Sequence, residues 1–180
     1  SGSLSSSTAV SVNSGATYEL GSNDEVGSIS GAGSINLGSS ILTSGGNNSD
    51  TTISGTISGT GGLIKSGTGK LSLTGVKSFT GDSTVSAGTL ESEGSAMSSN
   101  VSIGNGATYE IDVVGSSDTA TYSKVISGAG SFLKSGAGEL TFGEVQTYSG
   151  STTISDGKLK TNSSGSLSSS TAVSVNSGAT

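Results

Sequence analysis

The hydrophobic residues of this chain lie mostly in short runs in which every second position is apolar. The clearest alternating pairs are Val10/Val12, Ile35/Leu37, Leu71/Leu73, Val101/Ile103, Tyr109/Ile111 and Leu140/Phe142. Alternation with a period of two is typical of a strand with one buried face. The runs end at Gly, Asn or Ser, residues that supply the backbone conformations of tight turns. Because no longer window carries a helical apolar stripe, the sequence predicts an all-β chain with negligible helix.

The chain repeats itself at long range. Residues 1–17 and residues 164–180 share the sequence SGSLSSSTAVSVNSGAT, at an offset of 163. A match of that length does not arise by chance. We therefore expect residues 1–163 to be one unit of a tandem β-helical array and residues 164–180 to begin the next identical unit. On this interpretation the two ends are arbitrary cut points in a longer protein.

A second repeat lies inside this unit. Residues 57–90 align with residues 126–159 without a gap at an offset of 69, and 15 of 34 positions are identical. Apolar positions that differ between the copies stay apolar, as where Leu73 corresponds to Phe142. Such substitutions are expected of side chains that point into a core.

Short strands with one apolar face favour a parallel β-helix, in which stacked coils bury a thin continuous core and pair the backbone of each coil with the next. Like residues then form ladders with a rise of about 4.8 Å per coil. Ladders suit a chain in which more than half of the residues are Ser, Thr or Gly and none is Pro. Two alternatives stay open at this point. An antiparallel sandwich or barrel also has short alternating strands, and the low content of large apolar residues favours disorder.

Composition narrows the classes of function. The formal net charge is −6, all seven cations are lysines, and there is no His or Cys. Nucleic acids and anionic membrane surfaces select a basic face, so neither is an expected partner. No apolar run reaches the roughly 18 residues of a membrane helix. No signal peptide is present, so an export signal would have to lie outside these residues.

Two kinds of residue cluster could carry catalysis. A Ser–Lys pair occurs at Lys65–Ser66 and again at Lys134–Ser135, but with no His as base the simpler interpretation is a repeated turn. Paired carboxylates of the kind that glycoside hydrolases use could come from Glu91 with Glu93. A second such pair is Asp112 with Asp118, on either side of a loop. The repeat copy carries Lys160 and Asn162 where the first pair stands, which favours solvated surface charge.

The sequence offers no convincing site for a metal ion or a phosphate group. Zinc needs Cys or His, and the oxygen-rich clusters Asn23–Glu25 and Asn47–Asp50 lack the spacing of a calcium loop. The glycine-rich stretch Gly59–Gly62 is not followed by the lysine and helix of a phosphate loop. We therefore predict no catalytic, metal or cofactor-binding residues, and an enzyme acting on polysaccharide is the least favoured function.

Residues 51–91 closely resemble the passenger-associated repeat of bacterial autotransporters. The family pattern runs ISG-x-G-x-L-x-K-x-G-x-G-x-L-x-L-x-G, then an aromatic residue, then G-x-T-x-V-x-x-G-x-L. It is filled by Ile57, Ser58, Gly59, Gly61, Lys65, Gly67, Gly69, Leu71, Leu73, Gly75, Phe79, Gly81, Thr84, Val85, Gly88 and Leu90. The second copy also fills it, except that Gly143 and Glu144 replace Thr74 and Gly75.

The resemblance implies a right-handed parallel β-helix on the outside of a Gram-negative cell. Proteins of this family are exported through a C-terminal membrane barrel, so contact with the membrane is expected only through a barrel that these residues do not include. We expect a structural role, as a rigid stalk or fibre segment of a surface-exposed adhesin that associates with itself end to end or side by side. The alternative is a module that adheres directly, to a host glycan or to the passenger of a neighbouring cell. Nothing in the residues separates these two roles.

Overall fold

The computed structural model describes residues 4–168 and 172–180. These residues form short strands and turns, with no helix among them. The strands are β1 (Ala9–Ser11), β2 (Thr17–Glu19), β3 (Asp24–Val26), β4 (Ser28–Ser30), β5 (Ser34–Asn36), β6 (Leu42–Ser44), β7 (Thr51–Ile53), β8 (Ile57–Ser58), β9 (Leu63–Lys65), β10 (Lys70–Leu73), β11 (Ser83–Val85), β12 (Thr89–Glu93), β13 (Val101–Ile103), β14 (Thr108–Asp112), β15 (Thr119–Tyr122), β16 (Ile126–Gly128), β17 (Ser131–Ser135), β18 (Glu139–Phe142), β19 (Thr152–Ile154), β20 (Lys158–Thr161) and β21 (Val173–Val175).

The chain winds into a parallel β-solenoid of about 8 coils, each with three sides. The first side is formed by β1-β4 and by the seven-stranded sheet β7-β10-β12-β14-β17-β19-β21, which an isolated bridge joins to β4. The third side is the six-stranded sheet β3-β6-β9-β11-β13-β16. The second side is less regular and carries two three-stranded sheets, β2-β5-β8 and β15-β18-β20. The antiparallel and disordered alternatives are thereby excluded, because every described strand pair is parallel.

Coil length varies along the solenoid. Leu71 pairs with Leu90, a step of 19, whereas Tyr109 pairs with Phe132, a step of 23. The longer step accommodates the loop between β14 and β15. Insertions of this kind bulge from the corners and leave the stacking of the strands unchanged.

The core is one column of inward-facing side chains. Aliphatic residues from successive coils stack in register through most of its length, and both Leu71 and Leu90 are almost completely buried. Towards the C-terminal coils the column becomes aromatic. Ring centroids there lie 5.2 Å apart for Phe132 and Phe142 and 6.2 Å apart for Tyr109 and Phe132. These tilted pairs are the geometry that aromatic rings prefer. The prediction of a parallel β-helix with a thin apolar core is confirmed.

Candidate functional site

Each copy of the internal repeat buries one lysine. Side chains alternate along a strand, so Lys65 points inward like Leu63, and only 1% of it is exposed. Its ammonium donates hydrogen bonds to the carbonyls of Ser66 (2.6 Å) and Gly67 (2.8 Å), and to that of Ala87 on the next coil (3.3 Å). We call this arrangement the lysine cage. It satisfies carbonyls at a corner where no strand pairing is available.

The second copy builds the same cage. Lys134 is fully buried and donates to the carbonyls of Ser135 (2.6 Å), Gly136 (2.7 Å) and Asp156 (3.3 Å). Burial lowers the pKa of both caged amines, and nearby carboxylates oppose the effect. The cage occupies the ammonium with backbone carbonyls, and the Ser66 hydroxyl makes no hydrogen bond. The suspected Ser–Lys pair is therefore part of a structural turn.

A second buried polar position also recurs at the repeat offset, and here the residue type differs. Lys77 is 6% exposed and donates to the carbonyls of Leu73 (3.1 Å), Gly75 (3.0 Å) and Glu93 (3.0 Å). Burial lowers the pKa of the Lys77 amine to about 8, with the Glu93 carboxylate opposing.

Gln146 is the counterpart of Lys77 in the other copy. Its side-chain oxygen accepts a hydrogen bond from the Ile126 amide (2.7 Å), and its nitrogen donates to the carbonyls of Lys124 (3.2 Å) and Glu144 (2.7 Å). Lys77 continues the second-side column above Ile57 of β8, whereas Gln146 precedes Thr147, which continues the third-side column above Ile126 of β16. An amine in one copy and an amide in the other thus form hydrogen bonds with backbone groups at buried corners of the solenoid.

Carboxylates form an outward-facing ladder on the first side. Glu91 of β12 pairs in register with Glu110 of β14. The Lys70 ammonium lies 2.7 Å from Glu91 Oε1 and 3.0 Å from Glu110 Oε2, and the Ser135 hydroxyl donates to Glu110 Oε1 at 2.6 Å. Burial disfavours the charge of Lys70, but its hydrogen bonds to the two carboxylates outweigh this and raise its pKa. The positive charge of Lys70 thus offsets part of the negative charge of the two stacked glutamates.

The sequence-predicted acid pairs are arranged differently. Glu93 stacks on Asp112 in the next outward row. Asp118 turns back to accept a hydrogen bond from the Gly115 amide (2.9 Å) in its own loop. Burial, and then the repulsion from Glu91 and the other glutamates, raises the pKa of Asp112. Within residues 4–168 and 172–180, no group of His, Cys, Asp and Glu is arranged to hold a metal ion.

Backbone amides of adjacent coils are the partners of the two oxygen-rich clusters. Asn23 Oδ1 accepts a hydrogen bond from the Ile41 amide (2.8 Å), and Asp50 Oδ1 accepts one from the Lys70 amide (2.7 Å). Asn48, at φ 61°, accepts one from the Thr68 amide (2.8 Å). These side chains cap the corners of the solenoid. Gly59–Gly62 is also a corner, and a Cβ on Gly61 would lie 1.8 Å from the Ser40 carbonyl oxygen.

Sequence reasoning missed the burial of Lys65 and Lys77 and the contribution of Glu110 to the acid ladder. A signal for Lys65 was present, because the apolar alternation of β9 assigns it to the inward face. No comparable signal exists for Glu110, since its contact with Lys70 spans 40 residues and depends on the register of two coil steps.

The lysine cages lie within the segments that match a known family. The passenger-associated-transport-repeat family matches residues 63–91 and 132–160. These two segments of the chain are therefore passenger-associated-transport-repeats. Among curated proteins, the chain is similar to the protein named adhesin BmaC autotransporter of Brucella suis biovar 1 (strain 1330), at 35% identity over 61% of this chain. It spans only 4% of that relative's length.

No solved structure matches the chain. Among the described residues, no helix is long and apolar enough to cross a membrane.

Proposed function

We propose that this chain is a rigid structural element of a surface-exposed adhesin, in which it acts as a stalk or fibre rather than as an enzyme. The observation that carries this proposal is the agreement between the sequence repeat and the coil register. Strand pairing leads from Val10 through one residue per coil to Val173, which is the equivalent of Val10 in the next unit. The sequence repeat therefore spans a whole number of coils.

A whole number of coils has a mechanical consequence. Each new unit would begin on the same side of the solenoid as the previous one, so a tandem array would extend as one straight rod. At a rise of about 4.8 Å per coil, eight coils add about 40 Å of length per unit. Continuous strand pairing and buried corner residues make such a rod resistant to bending, a property that suits the display of binding regions away from a cell surface.

The test is a chain with two units, made by placing residues 1–163 before the full 180-residue chain. Small-angle X-ray scattering in dilute solution should show a maximum dimension larger by about 40 Å and an unchanged cross-sectional radius. A control with a Gly/Ser linker between the units should give a broader distance distribution, because such linkers are flexible. A wider particle of unchanged length would contradict the proposal.

A second candidate function is direct adhesion. The named adhesin among the relatives favours it, as does a surface groove lined by residues of several coils, including Thr56, Thr74 and Glu93. In this role the groove would bind a glycan or the passenger of a neighbouring cell through hydrogen bonds.

Cells that display the chain distinguish the two roles. Direct adhesion predicts that the displaying cells clump or bind a glycan array, and that Thr56→Val together with Thr74→Val abolishes this binding. If the chain acts only as a stalk, neither the unchanged chain nor the Thr56→Val, Thr74→Val double variant should bind.

A further inference from the structure

A groove follows the corner between the first and second sides of the solenoid, on the four coils that begin with β4, β7, β10 and β12. Its volume is about 660 Å³, within the range of small-ligand sites. All of its lining residues lie between positions 32 and 98, so the groove does not depend on where the sequence begins or ends. We propose that it binds a linear, uncharged hexose chain that lies parallel to the solenoid axis, with one sugar residue on each coil. Such binding rests on the direct-adhesion role proposed above, for which it names the ligand.

Two rows of outward side chains form the walls of the groove. Strand pairing sets Ile53, Leu73 and Ser92 in one inward column. On each coil the residue one position later belongs to the first wall, and the residue three positions later belongs to the second. The first wall is Ala32, Ser54, Thr74 and Glu93, and the second is Ser34, Thr56, Val76 and Ser95. Each coil therefore supplies one residue to each wall.

Glycines lie between the two walls and form the floor. A Cβ on Gly55 would lie 1.8 Å from the Gly33 carbonyl oxygen, and one on Gly75 would lie 2.0 Å from the Gly55 carbonyl oxygen. Gly94 has φ 73°, a conformation that disfavours any side chain. Close stacking and backbone conformation thus keep side chains out of the space between the walls.

The buried Lys77 fixes this floor from beneath. Its ammonium joins the Gly75 carbonyl on one coil to the Glu93 carbonyl on the next, at 3.0 Å each. A groove that is already held in shape loses little conformational freedom when a ligand binds, which lowers the cost of binding.

The spacing of the walls favours a glycan over a peptide. Wall residues repeat at the coil rise of about 4.8 Å, which is close to the advance per residue of an extended β-1,4-linked hexose chain. Successive sugar rings can therefore meet successive coils in register. An extended peptide advances about 3.3 Å per residue, so its side chains would not stay in register with the coils.

The chemistry of the walls suits sugar rings. Serine and threonine hydroxyls both donate and accept hydrogen bonds, as sugar hydroxyls do. Two lining hydroxyls make only long contacts to carbonyls of the chain, Ser54 to Gly31 at 3.5 Å and Ser98 to Lys77 at 3.4 Å, so a ligand can compete for them. Val76 is 62% exposed within the second wall, where it offers an apolar contact to the C–H face of a ring.

Charge at one end of the groove disfavours acidic sugars. Glu93 ends the first wall, and Asp112 follows it in the same column on the next coil. The Lys77 amine offers an acidic ligand little attraction, because it is buried and bonded to three carbonyls. A uronic acid on this coil would face uncompensated carboxylates, whereas a neutral hexose would not.

Titration calorimetry of the full 180-residue chain with β-1,4-linked glucose oligomers tests the proposal. Affinity should rise from the disaccharide to the tetrasaccharide and then level off, because four coils line the groove. The amide NMR signals of Gly55, Gly75 and Gly94 should shift on addition of cellotetraose. Binding without this length dependence, shifts confined to other faces, or no binding by any oligomer would each overturn the glycan site.

Paired variants locate the contacts. Thr56→Val together with Thr74→Val removes two wall hydroxyls at almost constant shape and should weaken cellotetraose binding by roughly tenfold. Thr43→Val together with Thr84→Val makes the same change on the outward column of the third side and should leave binding unchanged. Equal losses in the two double variants would contradict the assignment of the groove.

A change of specificity tests the role of Glu93. The unchanged chain should not bind tetragalacturonate, and Glu93→Gln should gain this binding while its affinity for cellotetraose stays within about twofold. Stronger binding of an unstructured lysine-rich peptide than of cellotetraose would overturn the choice of a glycan. Cells that display the chain and still clump, although no oligosaccharide binds, would overturn the glycan site and leave direct adhesion in place through another partner.

Discussion

At the scale of single residues, the two lysine cages are the most specific feature of the chain. An aliphatic residue would suit the inward position of Lys65 or Lys134 better if burial alone mattered, because burial of an amine is costly. The cost is offset by three carbonyls that would otherwise lack partners. The lysine of the repeat is thus explained by the corner that follows it and not by any chemistry with the adjacent serine.

Replacement of a caged lysine should destabilise the fold. Lys134→Met keeps much of the side-chain volume but leaves three carbonyls unpaired in a closed corner, so we expect a loss of about 3 kcal/mol in the free energy of unfolding. Urea unfolding followed by circular dichroism measures it. Lys124→Met, at an exposed lysine, is the matched control and should change the stability by less than about 0.5 kcal/mol. Equal losses for the two variants would show that the cage contributes nothing specific.

At the scale of strands and turns, close stacking of the corners limits which residues can follow each strand. Gly67 has φ +66°, and a Cβ there would lie 1.9 Å from the Gly45 carbonyl oxygen of the preceding coil. Gly15 has φ +83° but faces open space. The first glycine is required by both conformation and contact, the second by conformation alone.

The two glycines allow strain and collision to be separated. Gly15→Ala should cost roughly 1–2 kcal/mol, because a left-handed conformation disfavours any Cβ. Gly67→Ala should cost more by a further 1–3 kcal/mol or so, because the coils cannot close over the added methyl group. Thermal and urea unfolding of the two variants give the difference. A Gly67→Ala variant no less stable than Gly15→Ala would mean that the corners can separate without loss.

At the scale of the whole molecule, the buried amines and phenols make stability depend on pH in the alkaline range. The amine pKa values of Lys65, Lys77 and Lys134 are lowered by burial, that of Lys77 to about 8. Between that value and the ordinary lysine pKa of 10.5, the unfolded chain binds more protons than the folded chain. The free energy of unfolding therefore rises with pH in this interval.

Tyrosines reverse the trend at higher pH. Burial raises the pKa of Tyr148 to about 12 from its ordinary value of 10.0, so above that ordinary value the unfolded chain loses phenolic protons first. We expect stability to increase by about 1 kcal/mol from neutral pH to a maximum near pH 10 and then to fall. Urea unfolding across this range measures the curve. Lys77→Gln, which introduces the residue of the other repeat copy, should flatten the rise, and an unchanged curve in that variant would assign the rise to other groups.

The pattern of the sequence predicted much of this architecture. Alternation identified the strands, the apolar substitutions between repeat copies identified the inward positions, and the resemblance of residues 51–91 to a passenger repeat was confirmed by the family match to residues 63–91. These features are local, because the direction of a side chain along a strand follows from alternation alone. The absence of catalytic residues and the tandem organisation remain predictions.

The tertiary structure decided which residues from different coils meet. The step from one coil to the next is shorter at the Leu71–Leu90 pair than at the Tyr109–Phe132 pair, and this variation is set by corner loops whose conformation depends on the coil beneath. Glu110 therefore joins Glu91 and Lys70 in a ladder that could not be predicted from the spacing of these residues in the sequence. The repeat length of 163 residues, by contrast, is visible in the sequence itself. Only strand pairing showed that one repeat unit closes a whole number of coils, since hydrogen-bond register is a property of neighbouring coils and not of any single stretch of chain.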